Sequence, residues 1–377
     1  MPWKEQTTVS LRLEFVKQAL MKDIHISQIC HEYGISRKTG YKWLRRYLEE
    51  GPEGLQDRSR RPHHSPQRTP PEVEQRVLEV RDAHPAWGGR KIQHRLERLG
   101  EAVVPPASTI TEILRRHGRI DPEESQKHRP WQRFEAERPN QLWQMDFKGY
   151  FTMANQHDCH PLTLLDDHAR FCLGLRACPN ERRGTVQDQL IPIFRQYGLP
   201  DQLLVDNGPP WGTSQRGRLT RLGVWLVRLG IELIHTGFYH PQTIGKEERF
   251  HRTLKAEVLR RQAIRNLGHA QDCFDPWRQI YNHERPHEGI GMLVPAQRYQ
   301  ESAKPFPESL PPIEYGPGSM VRKVDQGGKL SFQGHSYRVG RALWGLPVAV
   351  RPVKIEGWFE VYFCHHKVAS IDVRMHL

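Results

Sequence analysis

The 377-residue chain lacks any apolar run near the roughly 20 residues that a bilayer-spanning helix needs. Its opening, Met1-Pro2-Trp3-Lys4-Glu5, lacks the apolar stretch of a secretory leader. No Cys-x-x-Cys pair occurs among Cys30, Cys159, Cys172, Cys178, Cys273 and Cys364. This excludes the usual zinc spacings and a disulfide framework, and it points to a reducing cytosol. No segment is strongly acidic either. What the chain has is positive charge: 56 Lys+Arg against 43 Asp+Glu, a net +13, with a pI near 9.6. Ten Trp, thirteen Phe and eleven Tyr argue against disorder despite a mean hydropathy of −0.71. The length predicts two to four domains, and the charge predicts a polyanionic partner. Residues 1–120 hold 22 basic and 15 acidic groups, the densest net charge in the chain.

Residues 1–56 read as a helix-turn-helix domain. Leu11, Leu13, Phe15, Val16, Ala19 and Leu20 carry a helical period. Ser27 is expected to cap a second helix, Gly34 to end it, and Ser36 to cap a third. Arg37, Lys38, Thr39 and Lys42 then fall near the start of the third helix, where a recognition helix meets base edges. Ile35, Tyr41, Trp43, Leu44 and Tyr47 are left for packing. A basic linker, 57–68, follows with Arg58, Arg60 and Arg61. It reads equally as an arm along phosphates or as a solvated tether. Residues 69–118 form a second helix-turn-helix candidate. There Thr69 and Ser108 are expected as caps, and Arg90, Lys91, Thr109 and Arg115 as DNA contacts. Residues 119–138 are a polar connector.

From 139 to 300 the period shifts. Leu142–Phe151 alternates like a strand, and Leu162–Leu165 and Phe171–Leu175 flank a turn as a hairpin would. A helix from about 185 to 197, a strand ending at Asp206, a helix over 219–229, a strand at 231–235 and a helix from about 243 to 261 complete a mixed α/β sheet. Residues 313–377 hold short strands at regular spacing, a small all-β barrel or sandwich; the barrel is the expectation.

Three acids stand out. Asp146 lies inside an apolar strand, Asp206 ends another strand, and Glu248 opens a helix. A buried acid is costly unless paired or bound to metal. Converging carboxylates suit Mg²⁺ or Mn²⁺, and two such ions can activate a nucleophile and stabilise the leaving oxygen of a phosphodiester. On a helical wheel Glu247 falls in the apolar stripe of Phe250, Leu254 and Val258. Glu248 falls beside Arg252 and Lys255. Lys246, Arg252 and Lys255 are then phosphate contacts or a solvated helix face. His240 and Asn207 could line the site, and Trp211 could stack on a base.

Trp143-Gln144-Met145-Asp146-Phe147, then Val205-Asp206-Asn207-Gly208-Pro209-Pro210, then His240-Pro241-Gln242-Thr243-x-Gly245-Lys246-x-Glu248-Arg249-Phe250-His251-Arg252-Thr253-Leu254-Lys255 resemble the core of bacterial insertion-sequence transposases. These belong to the retroviral-integrase superfamily with a DDE triad. Tyr281-Asn282-His283-Glu284-Arg285-Pro286-His287 is similar to the segment that closes that core. One departure is the 41 residues between Asp206 and Glu248, more than the family's commonest spacing; the surplus falls in Trp211–Arg218 as a loop insertion. The family's retroviral zinc module is absent, so no zinc is expected.

The resemblance implies an RNase H-like core with Asp146, Asp206 and Glu248 holding two Mg²⁺ (or Mn²⁺) ions. It implies that the helix-turn-helix region binds terminal inverted repeats of double-stranded DNA, and that the core frees a 3′-hydroxyl and transfers it to target DNA. It also implies a homo-oligomer in a synaptic complex, at the bacterial nucleoid and away from membranes. The competing readings are a non-enzymatic DNA-binding repressor and a plain RNase H-type nuclease.

Overall fold

The computed structural model describes residues 7–21, 25–58, 69–120, 135–212, 218–235 and 245–376. Arg60, Arg61 and His240 lie outside the described residues. The chain divides into two units, 1–68 and 69–377.

The first unit holds three helices, α1 (Thr8–Ala19), α2 (Ile26–Glu32) and α3 (Arg37–Glu50). They close on Phe15, Val16, Ile29, Cys30, Trp43 and Leu55. Gly34 sits at φ +61, a backbone turn that a β-carbon would strain, and so ends α2. Ser36 caps α3 by accepting from the Thr39 N–H at 3.2 Å. The second cap differs from expectation: His25 stands at the N-cap of α2 without a side-chain bond, and Ser27 lies inside the helix. Tyr41 also departs from its packing assignment, being 57% exposed, because it falls on the face opposite Trp43. Gly40 is where α3 meets the rest: a β-carbon there would lie 2.5 Å from Cys30 Sγ and 2.8 Å from Phe15.

The second unit begins with α4 (Pro71–Ala83), α5 (Gly89–Arg98) and α6 (Ala107–Arg116). Val77, Trp87, Ile92, Leu96, Ile110 and Ile113 fill their core. Thr69 and Ser108 do not cap. Pro70 and Pro106 hold those positions, their fixed φ starting each helix without a side-chain bond, so Ser108 falls within the first turn. An α/β domain follows, with β1 (Leu142–Phe147), β2 (Phe151–Thr152), β3 (Asp158–Asp166), β4 (Cys172–Cys178), α7 (Arg183–Tyr197), β5 (Gln202–Val205), α8 (Arg221–Arg228), β6 (Glu232–His235), α9 (Gly245–Leu254) and α10 (Leu267–His283). A π-helical turn, Lys255–Leu259, prolongs α9.

The sheet runs β2-β3-β1-β5-β6, with β4 paired to β3. β3 is antiparallel to β1 and β4, whereas β1, β5 and β6 are parallel, so the sheet is mixed as expected. Alternation along each strand assigns side chains to its two faces. Trp143, Met145, Phe147, Leu203 and Val205 enter one core with α7 and α8. Leu165, Cys172 and Leu175 enter the other, beneath Phe250 and Leu254 of α9 and Phe274 and Trp277 of α10. Gln144 and Asp146 alternate with the first set and so point to the α9 side.

The chain ends in β7 (Met320–Lys323), β8 (Lys329–Phe332), β9 (His335–Arg338), β10 (Pro347–Pro352), β11 (Trp358–Phe363) and β12 (His366–Asp372). A four-stranded antiparallel sheet, β12-β11-β10-β7, lies beside the hairpin β8-β9. The expected barrel is thus not closed by strand pairing among the described residues. Its apolar side chains, Val348, Val350, Val361 and Phe363 among them, join the core beneath α7 and α8. No described helix is long and apolar enough to cross a membrane.

Candidate active site and nucleic-acid interface

β1 and β5 pair in parallel with Trp143 opposite Leu203 and Gln144 opposite Leu204. Two residues further along the same register, Asp146 meets the position of Asp206, and neighbouring strands lie about 4.8 Å apart. The two carboxylates line one small cavity with Gln144 and Glu247. Burial, and then the Asp206 charge, raise the Asp146 pKa to about 7. Asp206 is also raised, by burial first, although the Gly208 N–H donates to its Oδ1 at 3.1 Å. Glu181, unsuspected from the sequence, adds negative charge felt by both.

The helix α9 presents its two glutamates differently. Glu247 is 1% exposed, in the stripe of Phe250 and Leu254, and burial and Asp146 push its carboxyl well above the usual range. Thr163 Oγ1 lies 2.9 Å from Glu247 Oε2, from His251 Nε2 and from the Asp146 carbonyl oxygen. Burial lowers the His251 pKa to about 4, so the ring is neutral at this contact. Glu248 is exposed, as are Arg252 and Lys255, and its charge helps raise Asp146. The faces are those that the wheel gives. Among the described residues, however, no three His, Cys, Asp or Glu side chains form a ready-made metal cage. The structure brings Asp146 and Asp206 together and leaves Glu248 on the rim. The polar lining, Asp146, Asp206, Glu247 and Gln144, offers oxygen donors, and crowded carboxylates with raised pKa values are relieved by a cation. The donor set therefore fits Mg²⁺ or Mn²⁺.

Several expected contacts are placed elsewhere. Lys246 does not project from α9; its side chain is 18% exposed and pairs with the fully buried Asp167. Trp211 is 4% exposed and stacks on Phe147 with ring centroids 5.6 Å apart, because the start of the inserted loop folds back onto the sheet. It is not available to a base. Lys91 turns toward the core, where burial and Arg285 lower its pKa to about 7. Nearby, Arg95 pairs with Glu284 at 2.6 Å, and Arg98 donates to the His283 carbonyl at 3.3 Å. α5 thus docks on the end of α10, a use of its cations that the charge pattern alone did not separate from DNA contact. Arg90 is exposed, 3.9 Å from Glu288. Thr109 is half-buried, and Arg115 pairs with Glu112 on an exposed turn. In the first unit, Arg37, Lys38 and Lys42 are exposed, Lys42 with its Nζ 4.5 Å from the Trp43 ring. The Thr39 hydroxyl lies 2.9 Å from Ser36 Oγ within the cap. Arg58 pairs with Glu50. Asn207 is exposed beside Asp206.

The chain matches the integrase core domain family over residues 136–241 and again over 229–295. It matches a helix-turn-helix domain over 11–63, a homeodomain-like domain over 39–114, and the IS481 family transposase C-terminal domain over 319–376. The insertion element IS476 uncharacterized 39.2 kDa protein of Xanthomonas euvesicatoria is 30% identical over 162 residues, 42% of this chain and 44% of that protein. The insertion element IS407 uncharacterized 31.7 kDa protein of Burkholderia multivorans is 27% identical over 161 residues, 42% of this chain and 55% of that protein. The chain thus spans about half the length of these relatives. Among solved structures, a chain of a simian T-cell lymphotropic virus intasome aligns at 15% identity and a TM-score of 0.37, covering 78% of this chain and 99% of that one. In this order, the matched domains are those of an insertion-sequence transposase of the integrase superfamily.

Proposed function

We propose that the protein is a DDE-type DNA transposase. Its reaction is attack of water on the phosphodiester at the end of a mobile element, followed by attack of the freed 3′-hydroxyl on a phosphodiester of target DNA. The observation that carries this reading is the Asp146–Asp206 pair, held at the ends of β1 and β5 with raised pKa values and with the Glu248 charge beside it. Asp146, Asp206 and Glu248 would hold two divalent ions, which when bound supply activation of the attacking oxygen and stabilisation of the leaving one. Arg252 and Lys255, exposed on the Glu248 side of α9, hold the DNA phosphates near the acids. Arg37, Lys38 and Lys42 read the terminal inverted repeats from the start of α3, with Thr39 shaping that start. Arg58, Arg60 and Arg61 follow the backbone, and Arg90, Thr109 and Arg115 contribute from the second helical domain. Two DNA ends must meet two active sites, which requires a homo-oligomer working at the nucleoid. The domains of this reading are 1–56, 57–68, 69–118, 119–138, 139–300 and 313–377.

The test is a cleavage and joining assay on labelled element ends with Mg²⁺. Wild type should release 3′-hydroxyl ends and join them to target DNA, and Asp206→Asn should bind ends normally and do neither. Nicking without joining would favour a nuclease. Binding with no chemistry in wild type would leave only a DNA-binding protein.

A further inference from the structure

Among the described residues, one fully buried and multiply bonded carboxylate lies outside the proposed triad. Asp167, in the turn between β3 and β4, is fully buried. One of its oxygens accepts from the Ala136 N–H at 2.7 Å, and the other from Gln144 Nε2 at 2.6 Å and from Lys246 Nζ. Arg170 adds positive charge at 4.0 Å. A carboxylate withdrawn from water is tolerated only when its lone pairs are met in this way. The bridged residues are the telling part. Gln144 lies two residues before Asp146 on β1 and, by alternation, on the same face. Lys246 lies two residues before Glu248 at the start of α9, and residues two apart on a helix point apart. Lys246 can therefore be anchored inward while Glu248 stays at the rim. The next residue, Glu247, is tied down as well, through Thr163, whose hydroxyl also meets the Asp146 carbonyl. The start of α9 is thus fastened to the Asp146 strand at two successive residues.

We propose that Asp167 and Lys246 are positioning residues, a buried clasp that sets the helix bearing Glu248 against the strand bearing Asp146. The proposal rests on the reading of those acids as metal ligands. Without the clasp the first turn of α9 is released from the sheet, and the third carboxylate is no longer held near the other two. Partners that orient metal ligands typically change metal affinity by about 10–100-fold when removed.

The test uses the full chain with Lys246→Met, Lys246→Arg, Asp167→Asn and Glu248→Gln. Its first readout needs no turnover: the rise in melting temperature on adding Mn²⁺. The second is the Mg²⁺ concentration giving half-maximal joining, and the third is binding of end DNA by gel shift. Lys246→Met should lose most of the Mn²⁺-induced rise and need about tenfold more Mg²⁺, while end binding stays unchanged. Lys246→Arg, which keeps the charge, should recover most of both. A Lys246→Met protein with wild-type metal response overturns the clasp. Should that variant lose its cooperative melt, Asp167→Asn decides on the same readouts, and a wild-type metal response in it likewise overturns the clasp. If Glu248→Gln joins DNA as wild type does, the triad reading itself fails. If it is inactive while Lys246→Met responds normally to metal, the clasp alone fails.

Discussion

Replacing Asp146 by Asn should stabilise the metal-free protein while destroying its chemistry. Burial and Asp206 place the Asp146 pKa at about 7, against an ordinary 3.8. At about 1.4 kcal/mol per pKa unit, that gap sets a ceiling of about 4 kcal/mol for ionising this side chain in the folded state. Asp146 is only half-buried and solvent screens its charge, so about 1–2 kcal/mol is the expected gain from the neutral amide at pH 8. In the unit 69–377 that raises the melting temperature by about 2–3 °C. The pH dependence fixes the sign. A raised folded pKa means that the folded state keeps a proton the unfolded chain has lost. The contribution of Asp146 to wild-type stability therefore falls as pH rises from about 4 to about 7 and levels off above that. The advantage of Asp146→Asn should grow over the same window and vanish near pH 4. Saturating Mg²⁺ should stabilise wild type and close the gap, because it binds only where both carboxylates remain. Thermal melts of the two proteins at pH 4, 6 and 8, with and without Mg²⁺, measure all of this. A lower melting temperature for Asp146→Asn at pH 8 would refute the argument, since it would make the charge a stabilising one.

Two further outcomes concern the first unit. Gly40→Ala should destabilise it by about 1–3 kcal/mol, because the added methyl would lie 2.5 Å from Cys30 Sγ and 2.8 Å from Phe15; circular dichroism melts of the isolated 1–68 unit check this against wild type. Arg37→Ala combined with Lys38→Ala should lower the preference for end DNA over unrelated duplex by about tenfold or more, read by competition in a gel-shift assay. An unchanged preference would place those cations away from base edges.

Much of this architecture was legible because the period of apolar residues survives in the chain. The α3 cap at Ser36, the hairpin around Asp166 and Asp167, the strand that carries Asp146 and the strand that leads into Asp206 all lie where pattern puts them, although the first strand stops at Phe147 rather than running on to Phe151. The α9 wheel was informative because its stripe of Phe250, Leu254 and Val258 is unbroken. What pattern could not give was the destination of individual cations. Lys246, Lys91 and Arg252 look alike in a sequence, yet the first closes on Asp167, the second packs toward Arg285 and the third faces solvent. Those partners are distant in the chain, and only the folded topology names them. α10 went unread because Pro276 interrupts its helical signal, although burial of Phe274, Trp277 and Tyr281 holds the helix through it. Trp211 shows the same limit from the other side: a tryptophan in a Gly-rich stretch reads as exposed until a nearby ring, here Phe147, gives it a place.

The parallel pairing of β1 with β5 has a consequence for how such a chain can change over time. The two acids meet because of strand register, in which Gln144 stands opposite Leu204. The length of chain that joins them does not enter. Residues can be gained or lost in the connections without moving either carboxylate, as the additional stretch after Asp206 illustrates. A slip of a single residue between β1 and β5, by contrast, would turn one acid to the opposite face of the sheet. Loop length is therefore free to vary where the pairing is not, and the distance between the two acids is independent of how many residues connect them.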